Sequence, residues 1–197
     1  MQASNRARLL SLLAAAALAA APAIAQKSHG QRIGDVTLDT SADSRMVVDQ
    51  LPQRGAYDFD IHGSRVSLTS ARYDIASPHI QVLLRAGVVQ TGTATGNVEV
   101  HLRDPDAGQS DTLTCSKAIY TGATGGQAAH MRLTGANGGV HYVMKTPQTV
   151  GPVDLICDGA EVTFLPGGHN KIALDGLHGT GTPIEPPATP KKTASGK

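Results

Sequence analysis

The chain has 197 residues, Lys+Arg 17 against Asp+Glu 16, and a formal net charge of +1; it is 40% hydrophobic, 17% charged and 3% aromatic. With no Trp, two Phe and four Tyr, it carries neither the basic surface nor the stacking rings that a single-stranded nucleic-acid binder uses. Two cysteines are too few for a disulfide-stapled miniprotein or a four-cysteine zinc site, and the 22 glycines lean the chain towards strands and turns.

Residues 1–25 have the anatomy of a cleavable signal peptide. Arg6 and Arg8 form a basic start, Leu9-Leu10-Ser11-Leu12-Leu13 and the following alanines an apolar stretch, and Ala23-Ile24-Ala25 a small-x-small cleavage site before Gln26. The competing reading is a retained anchor helix, which needs about 20 apolar residues where Leu9 to Ala21 offers about thirteen. No Cys follows the site, which argues against lipoprotein processing. Export would place residues 26–197 in the periplasm, an oxidising space. Loss of Arg6 and Arg8 would turn the net charge from +1 to −1.

From 26 to 182 the chain reads as one β domain. Val98, Val100 and Leu102 alternate with Glu99, His101 and Arg103. Ile80, Val82 and Leu84 alternate likewise, as do Val140, Tyr142 and Met144, and Val162 and Phe164 flank Thr163. Turn signals separate these runs: Asp104-Pro105-Asp106-Ala107-Gly108, Thr124-Gly125-Gly126, Ala136-Asn137-Gly138-Gly139 and Pro166-Gly167-Gly168. Their spacing predicts roughly ten to fourteen short strands. Residues 183–197, from Pro183-Ile184-Glu185-Pro186-Pro187 to Lys191-Lys192 and Lys197, have little to bury and read as a disordered tail.

The domain repeats itself. Asp111-Thr112-Leu113-Thr114-Cys115-Ser116-Lys117-Ala118-Ile119-Tyr120 aligns with Val153-Asp154-Leu155-Ile156-Cys157-Asp158-Gly159-Ala160-Glu161-Val162, and a shortened copy runs from Val66 to Tyr73. Each full copy is followed by a run into glycine, Met131-Arg132-Leu133-Thr134-Gly135 and then Ile172-Ala173-Leu174-Asp175-Gly176. Self-similarity of this kind predicts stacked units that bury one another's apolar face. Cys115 and Cys157 hold equivalent places, each two residues after a leucine. If the units stack as adjacent strands, about 4.8 Å apart, the two cysteines can form a disulfide. The alternative is two buried thiols acting as small hydrophobes.

Signals for catalysis are sparse. The eight histidines (His29, His62, His79, His101, His130, His141, His169, His178) form no H-x3-H or HExxH pair, and no Gly-x-Ser-x-Gly elbow occurs. Asp58, Asp60 and His62 share one strand face and are the nearest approach to a cation or acid–base site, but a solvated polar face is the favoured reading, because hard-cation sites need six or more oxygens. Gly122, Gly125 and Gly126 lack the Lys-Ser/Thr of a phosphate loop. The chain is expected not to be an enzyme and to need no metal or cofactor.

Ala94-Thr95-Gly96-Asn97-Val98-Glu99-Val100, then Asp111-Thr112-Leu113-Thr114-Cys115 with Ala118 and Tyr120, then Leu133-Thr134-Gly135, resemble the OstA-like (LptA/LptC) family of periplasmic lipopolysaccharide-transport proteins. The likeness covers about Val66 to Gly181; Val162 stands where that pattern has Tyr. It implies an all-β fold of stacked strands forming an open β roll, jellyroll- or solenoid-like, with an apolar interior. On that reading Val98, Val100, Leu102, Leu113, Met131, Leu133, Tyr142, Met144, Leu155, Phe164, Ile172 and Leu174 line a groove for acyl chains. Alternation alone is equally met by a filled core. The implied function is a carrier or bridge that shields a lipopolysaccharide-like glycolipid on its way to the outer membrane. Implied partners are that lipid, envelope transport proteins joined by strand-edge addition, and further copies end to end. The alternative is a secreted structural or adhesive β-solenoid with no small-molecule ligand.

Overall fold

The computed structural model describes residues 30–103, 110–136, 138–145 and 152–178. The expected signal peptide and tail lie outside the described residues. The fold is all-β: eleven strands joined in one antiparallel sheet, with no α-helix among the described residues. In chain order they are β1 (Gln31–Ile33), β2 (Val36–Thr40), β3 (Arg45–Gln50), β4 (Ala56–Thr69), β5 (Tyr73–Arg85), β6 (Val88–Arg103), β7 (Ser110–Thr121), β8 (Ala129–Thr134), β9 (Val140–Lys145), β10 (Val153–Phe164) and β11 (Asn170–His178). No helix among these residues is long and apolar enough to cross a membrane.

The strand lengths depart from the short strands expected. β6 runs for 16 residues and β4 for 14, because each long strand passes through a break in register that turn-spotting cannot see. The pairing of β4 with β5 shifts between His62 and Val66, that of β5 with β6 between Ala76 and His79, and that of β6 with β7 between Thr95 and Val98. On β7 and β10 the line continues where the partner changes from β9 to β8. Bulges add local bend and twist, and here they align into one crease across the sheet. Glycine permits it at two places. Gly96 has φ +101°, and a Cβ there would sit 2.6 Å from Pro78 Cγ; Gly176 has φ +62°, and a Cβ there would sit 2.0 Å from Asp158 Oδ2.

The crease divides the sheet into two arms that face each other. The first arm holds β3, β8 and the halves of the long strands that pair with them, such as 79–85 and 117–121. The second holds β1, β2, β9 and the complementary halves, such as 98–103 and 110–115. Alternate residues point between the arms, where Ile61, Ile80, Leu133 and Val162 of the first meet Val66, Val98, Leu113 and Val140 of the second in one fully buried cluster. At about 25 cal/mol per Å2 of apolar surface, burying this shared face is the main favourable term of folding. Tyr142 donates a hydrogen bond of 2.9 Å to the buried carboxylate of Asp111, which satisfies a polar pair inside the apolar layer.

The two full repeats lie on β7 and β10, and they are not neighbours. β9 stands between them, pairing Leu113 with Tyr142 and Tyr142 with Leu155. The repeat unit is therefore a pair of strands. The shortened copy differs again, because Ser70–Arg72 forms the turn between β4 and β5 instead of continuing a strand. The expected disulfide is corrected by this spacing. Cys115 and Cys157 are both free, and two strand intervals separate them by roughly 10 Å, beyond the Cα range a disulfide spans. Each thiol instead donates to a nearby carbonyl, Cys115 to Lys117 and Cys157 to Val140.

Two measurements check this architecture. Gly96→Ala meets both a left-handed backbone and the Pro78 ring, and should lower the urea unfolding free energy by about 1–3 kcal/mol. Gly125→Ala meets a left-handed backbone too (φ +58°) but open space around it, and should cost the backbone term alone, about 1 kcal/mol. Burial pushes the Cys115 thiol up from about 9 to about 11. In native protein its alkylation should be slow at pH 8 and keep accelerating towards pH 11. Because the folded thiol holds its proton more tightly than the unfolded one, its contribution to stability is complete below pH 9 and lost as pH rises through that window.

Candidate functional site

The outer ends of the two arms, away from the crease, form a mouth that is bridged at two places. At one, the tight turn between β1 and β2 reaches across to the first arm: Asp35 Oδ1 accepts from the Val89 amide at 3.2 Å, and Gly34 packs on the Gly87 carbonyl. At the other, Arg72 projects from the β4–β5 turn of the second arm to the far end of β10. Its guanidinium donates to the carbonyls of Leu165 at 2.8 Å and His169 at 2.5 Å, and to Asn170 Oδ1 at 3.1 Å. Asn170 reciprocates with a bond from Nδ2 to the Arg103 carbonyl, and Arg103 is held by a bidentate pair with Asp74. The planar guanidinium fork reaches the two carbonyls and the amide oxygen from one fixed geometry.

An open pocket of about 730 Å3 lies at this mouth, and its lining includes both bridges, Asp35 and Arg72. One wall is the loop from Ala123 to Ala129; the floor is Tyr73, Tyr120 and Phe164. These three rings form a triangle with centroids 5.5, 5.4 and 6.0 Å apart, all tilted, and the Arg72 guanidinium covers Phe164 at 5.2 Å. Among the described residues, Arg72 is the one cation lining the pocket, and its buried Nε has no hydrogen-bond partner. Burial pushes the Tyr73 hydroxyl well above its ordinary range, helped by Tyr120 and Asp35. Burial raises Tyr120 too, with Asp35 adding and Arg72 opposing. The floor is thus neutral at physiological pH, with one cation, Arg72, and one carboxylate, Asp35, in the same lining.

Behind the floor the space between the arms is nearly full. A void of about 20 Å3 remains, room for about one water, lined by Leu68, Ile75, Ile80, Val82 and Met131 together with Tyr73 and Tyr120. The same two tyrosines therefore border both the mouth pocket and the interior.

The twelve residues expected to line a groove all lie on the inner faces of the arms. Val98, Val100, Leu102, Leu113, Met131, Leu133, Tyr142 and Phe164 are buried, while Met144, Leu155, Ile172 and Leu174 are half-buried against the same cluster. Of these only Phe164 borders the mouth pocket. Sequence reasoning missed Arg72, Tyr73, Asp35 and the role of Tyr120, which meet only when the arms fold together. One local signal was available: an arginine in the short turn Ser70-Ala71-Arg72 between two apolar strands. His101 and His141 lie outward as expected, beside Glu99 and Asp154. Asp58, Asp60 and His62 also face outward on β4, and β5 adds His79 to them. Comparison with known proteins finds no family model, no curated protein and no solved structure that matches this chain.

The Arg72 bridge is testable. Arg72→Ala should lower stability by about 1–3 kcal/mol, the range for hydrogen bonds from a charged donor. It should also speed amide hydrogen exchange at Leu165 and the adjoining end of β10. Arg72→Lys, which keeps the charge but not the fork, should restore only a minor part of the protection.

Proposed function

We propose that the protein is a non-catalytic lipid-binding carrier or bridge of the cell envelope, shielding acyl chains of a lipopolysaccharide-like glycolipid during transport to the outer membrane. The observation that carries this reading is an apolar mouth pocket separated from an apolar interior only by Tyr73 and Tyr120. An acyl chain entering there displaces rings and slim aliphatic side chains, and gains about 0.8 kcal/mol for each CH2 removed from water. Arg72, a cation lining the mouth, stands where an anionic headgroup would remain at the surface. No bond is made or broken in such a role, so no cofactor is needed. Export by a signal peptide would bring the chain to the periplasm. Partner proteins, or a further copy, would join by strand addition at β3, whose outer edge is unpaired among the described residues and whose Met46, Val47 and Val48 are exposed.

One observation favours the second reading, a structural β protein without a ligand: the interior void of about 20 Å3 holds no acyl chain as it stands. The two separate on lipid content. Mass spectrometry of protein isolated from the native envelope should find a co-purifying glycolipid under the carrier reading. Delipidated protein should then bind that lipid with an affinity that Ala71→Trp, which fills the mouth from an exposed position, lowers at least tenfold without changing the far-UV circular dichroism. Lipid-free native protein, with no binding on titration, would leave the structural reading standing.

A further inference from the structure

The outer face of the first arm carries a side-chain cluster that the lipid-binding reading leaves unused. His62 on β4 and His79 on β5 are register partners beside the crease, His62 the last paired residue before the bulge of β4 and His79 the first after that of β5. Their imidazoles stack, with centroids 3.9 Å apart and planes 9° from parallel. Asp60, two residues before His62, emerges on the same face. Its Oδ1 lies 3.2 Å from His62 Nε2 and 2.7 Å from His79 Nε2. All three donor atoms fall within 4.8 Å of one another, the one such group among the described residues. His101, His141 and His178 each meet a carboxylate as well, but only in pairs with Glu99, Asp154 and Asp158.

We propose that Asp60, His62 and His79 form a binding site for a divalent transition-metal ion, with Zn2+ the expected occupant. Two imidazoles and one carboxylate are a donor set that suits zinc and its neighbours, and not the hard cations, which want six or more oxygens. Bonds of about 2.0–2.1 Å in tetrahedral geometry place ligand atoms about 3.3–3.4 Å apart. The His62–Asp60 separation is already close to that, and the His79–Asp60 pair opens by under about 1 Å. Without an ion, His79 Nε2 carries the proton it donates to Asp60 at 2.7 Å. Its Nδ1 lies 3.1 Å from Thr95 Oγ1, a hydroxyl that can accept an Nδ1–H once an ion displaces the Nε2 proton. The side chains of His62, Asp60 and His79 are 55%, 45% and 35% exposed, which keeps a fourth position open to water or to a donor from a partner. The carboxylate also pairs electrostatically with both rings, and its pKa is lowered chiefly by the hydrogen bond to His79. An ionised Asp60 is the form a metal needs.

The test is a calorimetric Zn2+ titration of the full chain without an affinity tag, with Co2+ as a visible-absorption reporter of four-coordination. One equivalent should bind. Asp60→Asn, His62→Ala and His79→Ala should each weaken binding at least tenfold, and Thr95→Val about tenfold through its effect on the His79 tautomer. His101→Ala and His141→Ala should leave it unchanged. A histidine NMR titration of the unmodified chain makes the test independent of variant folding: Zn2+ should perturb the His62 and His79 imidazoles first. Absence of stoichiometric binding, first perturbation at other histidines, or full affinity in the His62→Ala/His79→Ala double variant would overturn the assignment. Lipid binding is read separately and is indifferent to the result.

Discussion

Bending one continuous sheet so that its two halves bury each other is the constraint on which everything else in this protein depends. An antiparallel sheet with one apolar face cannot leave that face in water, and this chain has no α-helix among its described residues to cover it. Its solution is a crease through every long strand, built from bulges and from residues that tolerate close approach, such as Gly96 against Pro78 and Gly176 against Asp158. Inward alternation is kept on both sides of the crease. For that reason Leu113 and Ala118 of one strand, on different arms, belong to the same buried cluster.

A folded sheet of this kind has a closed side at the crease and an open side at the strand ends. The open side is where backbone groups and apolar side chains face water, and the chain manages it with two reaching contacts, Asp35 to Val89 and Arg72 to Leu165 and His169. What they leave uncovered is the mouth pocket over Tyr73, Tyr120 and Phe164. The aromatic content of the chain is low, yet three of its six rings meet here. The scarce large side chains thus stand at the rim, with slim aliphatics such as Ile75, Ile80 and Val82 behind them.

The outer face obeys different rules. Exposed along its length, it carries the alternate residues of the same strands, and its histidines sit beside carboxylates on the same or neighbouring strands. Cross-strand neighbours emerge about 5 Å apart on a common face, so such groups accumulate wherever register permits. At the crease, register brings His79 to Asp60 and His62 and turns a polar face into a convergent three-donor cluster.

Strand type, inward residues and the turns at Thr124-Gly125-Gly126 and Pro166-Gly167-Gly168 were legible from the chain alone, because a side-chain period of two and glycine-rich turns are local properties, while the turn expected at Asp104-Pro105-Asp106-Ala107-Gly108 lies outside the described residues. Thus Val98, Val100 and Leu102 could be assigned to an inner face, and His101 to an outer one, before any fold was known. Strand length was not legible, since a bulge inside a strand leaves no turn residues as strong as those at its ends. The order of strands was not legible either: the 42-residue repeat of Leu113 and Leu155 is real in sequence, yet β9 inserts between the two copies and parts Cys115 from Cys157. The mouth pocket and the Asp60–His62–His79 cluster both rest on contacts between strands whose sequence separation carries no periodic signal. Only the folded register, fixed by where the sheet creases, decides which residues meet there.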